Sequence, residues 1–272
     1  MVLMGGSNVL FALGMSLFAG LSTGLGGLFV LLFRRTNPKY LSVALGFSAG
    51  VMIFVSFVEI YPEARTHLAA GLGADIGEWM VLLSFFAGIL LIAVIDKLVP
   101  EVENPHEAHK IEEAHEPVRI DRDNRLMKTG IMTAIAITVH NFPEGLATFV
   151  SGVGSKALGI VIGIAVAIHN IPEGIALSVP VYCATGNRRK AFLLSLLSGF
   201  AEPLGAVLAW LVLAPFINDT VFGVVFAAVA GIMVYISFDE LLPTAREYGE
   251  HHLSILGLIA GMAVMGTSLI LL

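Results

Sequence analysis

Eight apolar runs, each about as long as a bilayer's hydrocarbon core is thick, decide what this chain can fold into. They occupy residues 8–33, 38–61, 77–99, 128–150, 157–180, 190–214, 219–243 and 253–272. About 20 apolar residues suffice for a helix to cross a membrane. In hydrocarbon every backbone N–H and C=O needs a partner within the protein, so such runs fold as helices. The connections are short except for residues 100–127, which are polar and charged. Of the 272 residues only 13% are charged, where a soluble domain carries about a quarter. The expectation is an all-α integral membrane protein, one transmembrane unit over 1–272.

Basic residues orient it. Arg34, Arg35 and Lys39 lie between the first two helices, and Lys110, Arg119, Arg122 and Arg125 lie in the long loop. Arg188, Arg189 and Lys190 lie between the fifth and sixth. These loops all fall on one side, and positive loops face the cytoplasm. Both termini are then outside and loop 100–127 is cytoplasmic. The N-terminus lacks the basic stretch of a signal peptide, so the first helix is retained. Trp79 and Trp210 fall at outer helix ends, where indoles anchor.

The chain repeats itself. Residues 49–65 read AGVMIFVSFVEIYPEAR and residues 230–246 read AGIMVYISFDELLPTAR, with nine of 17 positions identical. The first and sixth helices align through Ser16/Ser195, Gly20/Gly199 and Gly26/Gly205, which sets Thr23 against Glu202. The third and eighth share Ala87-Gly88 and Ala260-Gly261. The second and seventh helices are five crossings apart and run oppositely. The pattern is a 3+2+3 inverted repeat around a central pair, an arrangement that lets two halves open to opposite sides. Close helix approach is expected at the small-residue spacings Gly20/Gly24, Gly46/Gly50, Gly159/Gly163 and Gly257/Gly261.

The central pair carries one phrase twice: His140-Asn141-Phe142-Pro143-Glu144-Gly145 and His169-Asn170-Ile171-Pro172-Glu173-Gly174. Residues four apart share a helix face, so each His points with its Glu, and each Asn flanks that face. Each Pro removes a backbone hydrogen bond, freeing a carbonyl near Val139 and Ile168. Glu202, before Pro203 in the sixth helix, is a third carboxylate within a span. No Lys or Arg lies well inside any span. A charge at mid-bilayer costs at least about 2.5–3.5 kcal/mol, so these carboxylates must hold protons or cations. Two imidazoles with carboxylates suit a borderline divalent ion such as Zn²⁺, Fe²⁺, Mn²⁺ or Co²⁺, with room for a binuclear site. Glu59, Glu240 and Asp239, nearer helix ends, line entrances or reach headgroup water.

Other features narrow the class. Cys183 is the single cysteine, which excludes a disulfide framework and any multi-cysteine metal site. No phosphate-binding loop is present, so nucleotide hydrolysis by that route is not expected. No H-E-x-x-H occurs, which argues against a zinc protease. Loop 100–127 holds His106, His109 and His115 among acidic residues. It is either a metal-collecting tether or a solvated linker, and the loose spacing favours the linker. Its mixed charge gives no reason to expect nucleic acid as a partner. A mid-membrane site is itself direction-neutral, so exporter and channel stay open on spacing alone.

The paired HNFPEG and HNIPEG, the histidine-bearing basic loop and the AEPLG of the sixth helix resemble the ZIP family of metal-ion transporters, its bacterial members most of all. The resemblance implies an eight-helix 3+2+3 carrier importing divalent metal across the inner membrane. It implies zinc, iron, manganese, cobalt or cadmium as cargo, with no resident cofactor. It places metal ligands at His140, Asn141, Glu144, His169, Asn170, Glu173 and Glu202. Some members have Gln-Asp where this chain has His169-Asn170, which bears on a second metal position. Elevator-like or rocking motion and a homodimer are also implied.

Overall fold

The computed structural model describes residues 6–32, 38–98, 138–139, 141–213, 216, 218–248 and 251–271. Loop 100–127, His140 and most of the first half of the expected fourth helix lie outside the described residues. Among the described residues every element is helical. Seven helices are long and apolar enough to cross a membrane: this is a multi-pass membrane protein.

The elements are α1 (Gly6–Leu32), α2 (Pro38–Val55), α3 (Tyr61–Leu72), α4 (Ala74–Leu98), α5 (141–154), α6 (Lys156–Thr185), α7 (Arg188–Gly199), α8 (Ala201–Leu213), α9 (Asp219–Ile236), α10 (Leu242–Tyr248) and α11 (His251–Leu271). Two boundaries differ from expectation. The second helix does not stop at 61. It continues through a single π turn into α3, giving one span over Lys39–Leu72. Beyond Pro62 the helix turns polar, and its charges are paired: Arg65 with Glu78, and His67 Nδ1 with Asp219 at 2.8 Å. The sixth helix forms one span, Arg188–Val212, with a distorted turn at Phe200 between α7 and α8. The joint between α5 and α6 shrinks to Ser155 alone, whose hydroxyl caps α6 by accepting from Leu158 N.

Prolines explain the irregular turns. Pro62 and Pro243 cannot bond the carbonyl four residues back, and their rings crowd it. Both helices answer with one wide turn, Ser56–Ile60 and Ser237–Leu241. The N–H of Tyr61 bonds Ser56 O, and that of Leu242 bonds Ser237 O, five residues back in each case. In each, a serine hydroxyl bonds the carbonyl four back, Ser56 to Met52 and Ser237 to Met233. Pro203 distorts its helix without ending it. Gly199 O loses its usual donor there, and the turn is irregular at Phe200, where α7 passes into α8.

Packing divides the helices into two groups. α1, α6, α7 and α8 pack together, and α2, α3, α4, α9, α10 and α11 pack together. The main described contact between the groups is α2 against α6. α5 belongs with the first group: Ser16 Oγ of α1 donates to Gly145 O, and a Cβ on Gly145 would overlap the backbone of Glu202 in α8. Leucines and phenylalanines such as Leu83, Phe86, Leu211 and Leu256 point outward, as lipid-facing helices require.

Glycines set the closest approaches, and they come in pairs. Gly50 on α2 abuts the carbonyl of Leu258 on α11, and Gly231 on α9 abuts that of Phe85 on α4. Gly261 abuts the carbonyl of Phe47, and Gly88 that of Ala228. Gly26 abuts the carbonyl of Ile171, and Gly205 that of Phe142. Gly20 and Gly199 abut each other reciprocally. Each partner follows from the other through the sequence alignment above.

Candidate metal site

α5 and α6 are antiparallel neighbours joined at Ser155, so their two copies of the phrase lie side by side. His169 Nε2 lies 3.1 Å from Glu144 Oε1. Glu173, one turn along α6, completes the group: each of Glu144, His169 and Glu173 offers a ligand atom, and these atoms lie within 4.8 Å of one another. Glu144 and His169 are wholly buried and Glu173 nearly so. The i,i+4 spacing of His169 and Glu173 aims both at α5.

The asparagines are fixed by their nitrogens. Asn141 Nδ2 donates to Ser198 O at 3.1 Å and Asn170 Nδ2 donates to Ala19 O at 2.9 Å. A carbonyl can only accept, so each amide oxygen is turned the other way. Asn170 Nδ2 also donates to the carboxylate of Glu202, which joins α8 to the centre. Ser195 holds the end of the second phrase, its hydroxyl donating to Thr23 O at 2.8 Å and Gly174 O at 3.3 Å. Ser16 does the same for the first.

Four buried oxygens, Asn141 Oδ1, Glu144 Oε2, Asn170 Oδ1 and Glu202 Oε2, have no hydrogen-bond partner among the described residues. Each lone buried acceptor costs about 1–3 kcal/mol, more when charged. All four are acceptors, so what they lack is a donor or a cation. A divalent cation is the group that satisfies several at once. Glu202 also sits at the N-terminal end of α8, where the helix dipole favours an anion.

Six of the seven expected residues are therefore assembled at one buried centre, in two linked parts: Glu144, His169 and Glu173, then Asn170 and Glu202, with Asn141 anchored beside them. His140 lies outside the described residues. The carbonyl next to Ile168, that of His169, accepts from Ser48 Oγ at 3.2 Å. The roles of Ser48 and of the Ala19 and Ser198 carbonyls were not visible in the sequence. The pairing of Ser16 with Ser195 was, though not what it did. Glu59 and Glu240 stand in the two π turns, with Glu240 buried.

A bundle of apolar helices enclosing paired carboxylates, imidazole and carboxamides defines a polytopic membrane protein built to take a cation into its interior. The family model described as ZIP Zinc transporter matches residues 9–124 and 100–268. The chain is 58% identical over 267 residues to the zinc transporter ZupT of Chlorobium chlorochromatii, covering 97% of this chain and 98% of that protein. It is 58% identical over 265 residues to the ZupT of Lysinibacillus sphaericus (97% and 98% covered), and 58% identical over 270 residues to that of Nitratidesulfovibrio vulgaris (97% and 98%). This chain belongs to the ZIP zinc transporter family. That is a family of transporters, and the metalloenzyme reading falls away.

Proposed function

We propose that the protein carries zinc, and related divalent transition metals, across the inner membrane into the cytoplasm. The observation that carries this reading is the buried Glu144–His169–Glu173 group among oxygens that lack donors. His140, Asn141, Glu144, His169, Asn170, Glu173 and Glu202 are its metal ligands. Asn170 and Glu202 supply an oxygen-only second position beside the nitrogen-bearing first one, a donor set that serves Fe²⁺, Mn²⁺, Co²⁺ and Cd²⁺ as well.

The eight-helix 3+2+3 inverted repeat is part of the same proposal. Its support is the pairing of contacts. Asn141 to Ser198 and Asn170 to Ala19, Ser16 to Gly145 and Ser195 to Gly174, and the reciprocal glycines all interchange under one alignment. Every described ligand belongs to the α1, α5, α6, α7, α8 group. In this reading that group moves its cargo past the other, and two pseudo-equivalent halves provide the two open states. Basic loops support the cytoplasmic placement of residues 100–127 and external termini. A homodimer fits the family, and mass measured in nanodiscs tests it.

The deciding experiment is flux into liposomes reconstituted with purified protein, read with an internal zinc indicator and a panel of divalent ions. Glu144→Ala and His169→Ala should abolish uptake while the protein still elutes as a folded species. Unchanged uptake in both would sink the proposal. Efflux favoured over influx in right-side-out vesicles would reverse its direction.

A further inference from the structure

Not every contact of the fold has a counterpart in the repeat. Phe47 and Ser48 on α2 correspond by the repeat to Ala228 and Val229 on α9. On the α2 side the gap to α6 is closed: Ser48 donates to His169 O, and the Phe47 ring packs against the core. On the α9 side a methyl replaces the ring and an isopropyl group replaces the hydroxyl. Among the described residues no hydrogen bond corresponding to that of Ser48 joins α9 to α5. The result is a cavity of about 600 Å³ between α4, α9, α8 and the start of the central pair.

Its walls are apolar. Leu91 of α4, Val225, Ala228 and Val229 of α9, Leu204 of α8 and Phe142 form most of them. Among the described lining residues the one polar side chain, that of Thr138, has its hydroxyl engaged with Ser198 Oγ at 3.2 Å. Leu91 and Leu204 are 53% and 55% exposed, and both lie within membrane-length helices. The mouth therefore opens sideways onto hydrocarbon, not onto water.

Water has no partners here, and cavities of this character stay dry. An empty void of ligand size, roughly 300–1,000 Å³, forfeits dispersion contacts along its whole lining. The surrounding solvent at this depth is lipid tails. We propose that the crevice is a binding site for one acyl chain of a membrane phospholipid, inserted laterally between α4/α9 and α5/α8. Phe142 and Pro143, both on its wall, lie in sequence between Asn141 and Glu144, so the tail presses on the back of the metal-bearing helix. This inference rests on the membrane fold alone and stands whether or not the protein moves zinc.

The test is fluorescence quenching by phosphatidylcholine brominated at mid-chain. A single-tryptophan protein is made by Trp79→Phe, Trp210→Phe and Phe142→Trp and reconstituted in brominated or plain vesicles. The new indole is expected to be strongly quenched. Adding Ala228→Phe, the ring that α2 carries at the matching position, should fill the crevice and remove that quenching. If Ala228→Phe does not elute as a folded protein, Val225→Phe fills the same wall. Absence of quenching without the filling substitution means the crevice is closed or holds protein, and overturns the proposal. Equal quenching with and without it means ordinary contact with bulk lipid, and overturns it too.

Discussion

Gly145 ends the first copy of the phrase, and replacing it with alanine tests whether helix contact sets the metal geometry. A Cβ there would stand 2.6 Å from Glu202 Cα and nearer still to its carbonyl oxygen, where ordinary contact begins at 3.4 Å. Backbone cannot swing aside as a side chain can. α5 and α8 must therefore separate by about 1 Å, and overpacking of this kind costs about 1–3 kcal/mol. Glu144 rides on one of those helices and Glu202 on the other. Metal sites tolerate only about 0.2 Å in ligand distance, so zinc affinity should fall at least about tenfold, or 1.4 kcal/mol. Calorimetric titration of zinc in nanodiscs, with thermal unfolding alongside, reads both effects. Gly174→Ala, against the Thr23 carbonyl, should behave alike. Gly14→Ala is the control: nothing lies within 4 Å of its Cβ, and alanine there should gain up to about 1 kcal/mol of helix stability. If Gly145→Ala binds zinc as tightly as the parent and melts at the same temperature, the reasoning fails.

Three further outcomes are expected. Zinc at 100 times its dissociation constant should stabilise the parent by about 2.7 kcal/mol; Glu144→Gln should abolish that shift, read by thermal unfolding with and without zinc. Asn170→Asp replaces the amide donor facing Ala19 O and Glu202 with a further acceptor, and should cost about 1–3 kcal/mol in the metal-free protein, where Asn170→Ser, a small donor, costs less by the same measurement. Arg65→Ala removes only an exposed pair with Glu78 and should leave the unfolding midpoint essentially unchanged, measured by denaturant titration in detergent.

Legibility in the sequence followed the range of the interaction. Glu144, His169 and Glu173 could be read together because helical spacing fixes which side chains share a face, and a short joint fixes which helices are neighbours. The extension of the second helix to Leu72 could not. Pro62 reads as a stop, and only the π turn before it lets the helix continue. Prolines in similar apolar runs also differ in effect: Pro203 distorts the turn at Phe200, yet α6 passes through Pro172 unbroken. What a proline does depends on whether its neighbours can re-satisfy the freed carbonyl.

The sequence by itself determined that this is a helical membrane protein, that its centre holds carboxylates and imidazole without basic partners, and that its flanks repeat. Those conclusions rest on hydropathy, charge and spacing, which are properties of side chains along the chain. Only the tertiary structure decided how the centre is held. The asparagine amides hang on the carbonyls of Ala19 and Ser198, and the glycines press on the carbonyls of Thr23 and Glu202. Every residue has the same carbonyl, so no letter of the sequence marks the ones that matter. Only the tertiary structure also decided where the repeat departs from itself: Ala228 lines a crevice against Phe142 of α5, while on the other side Ser48 of α2 bonds the carbonyl of His169 in α6.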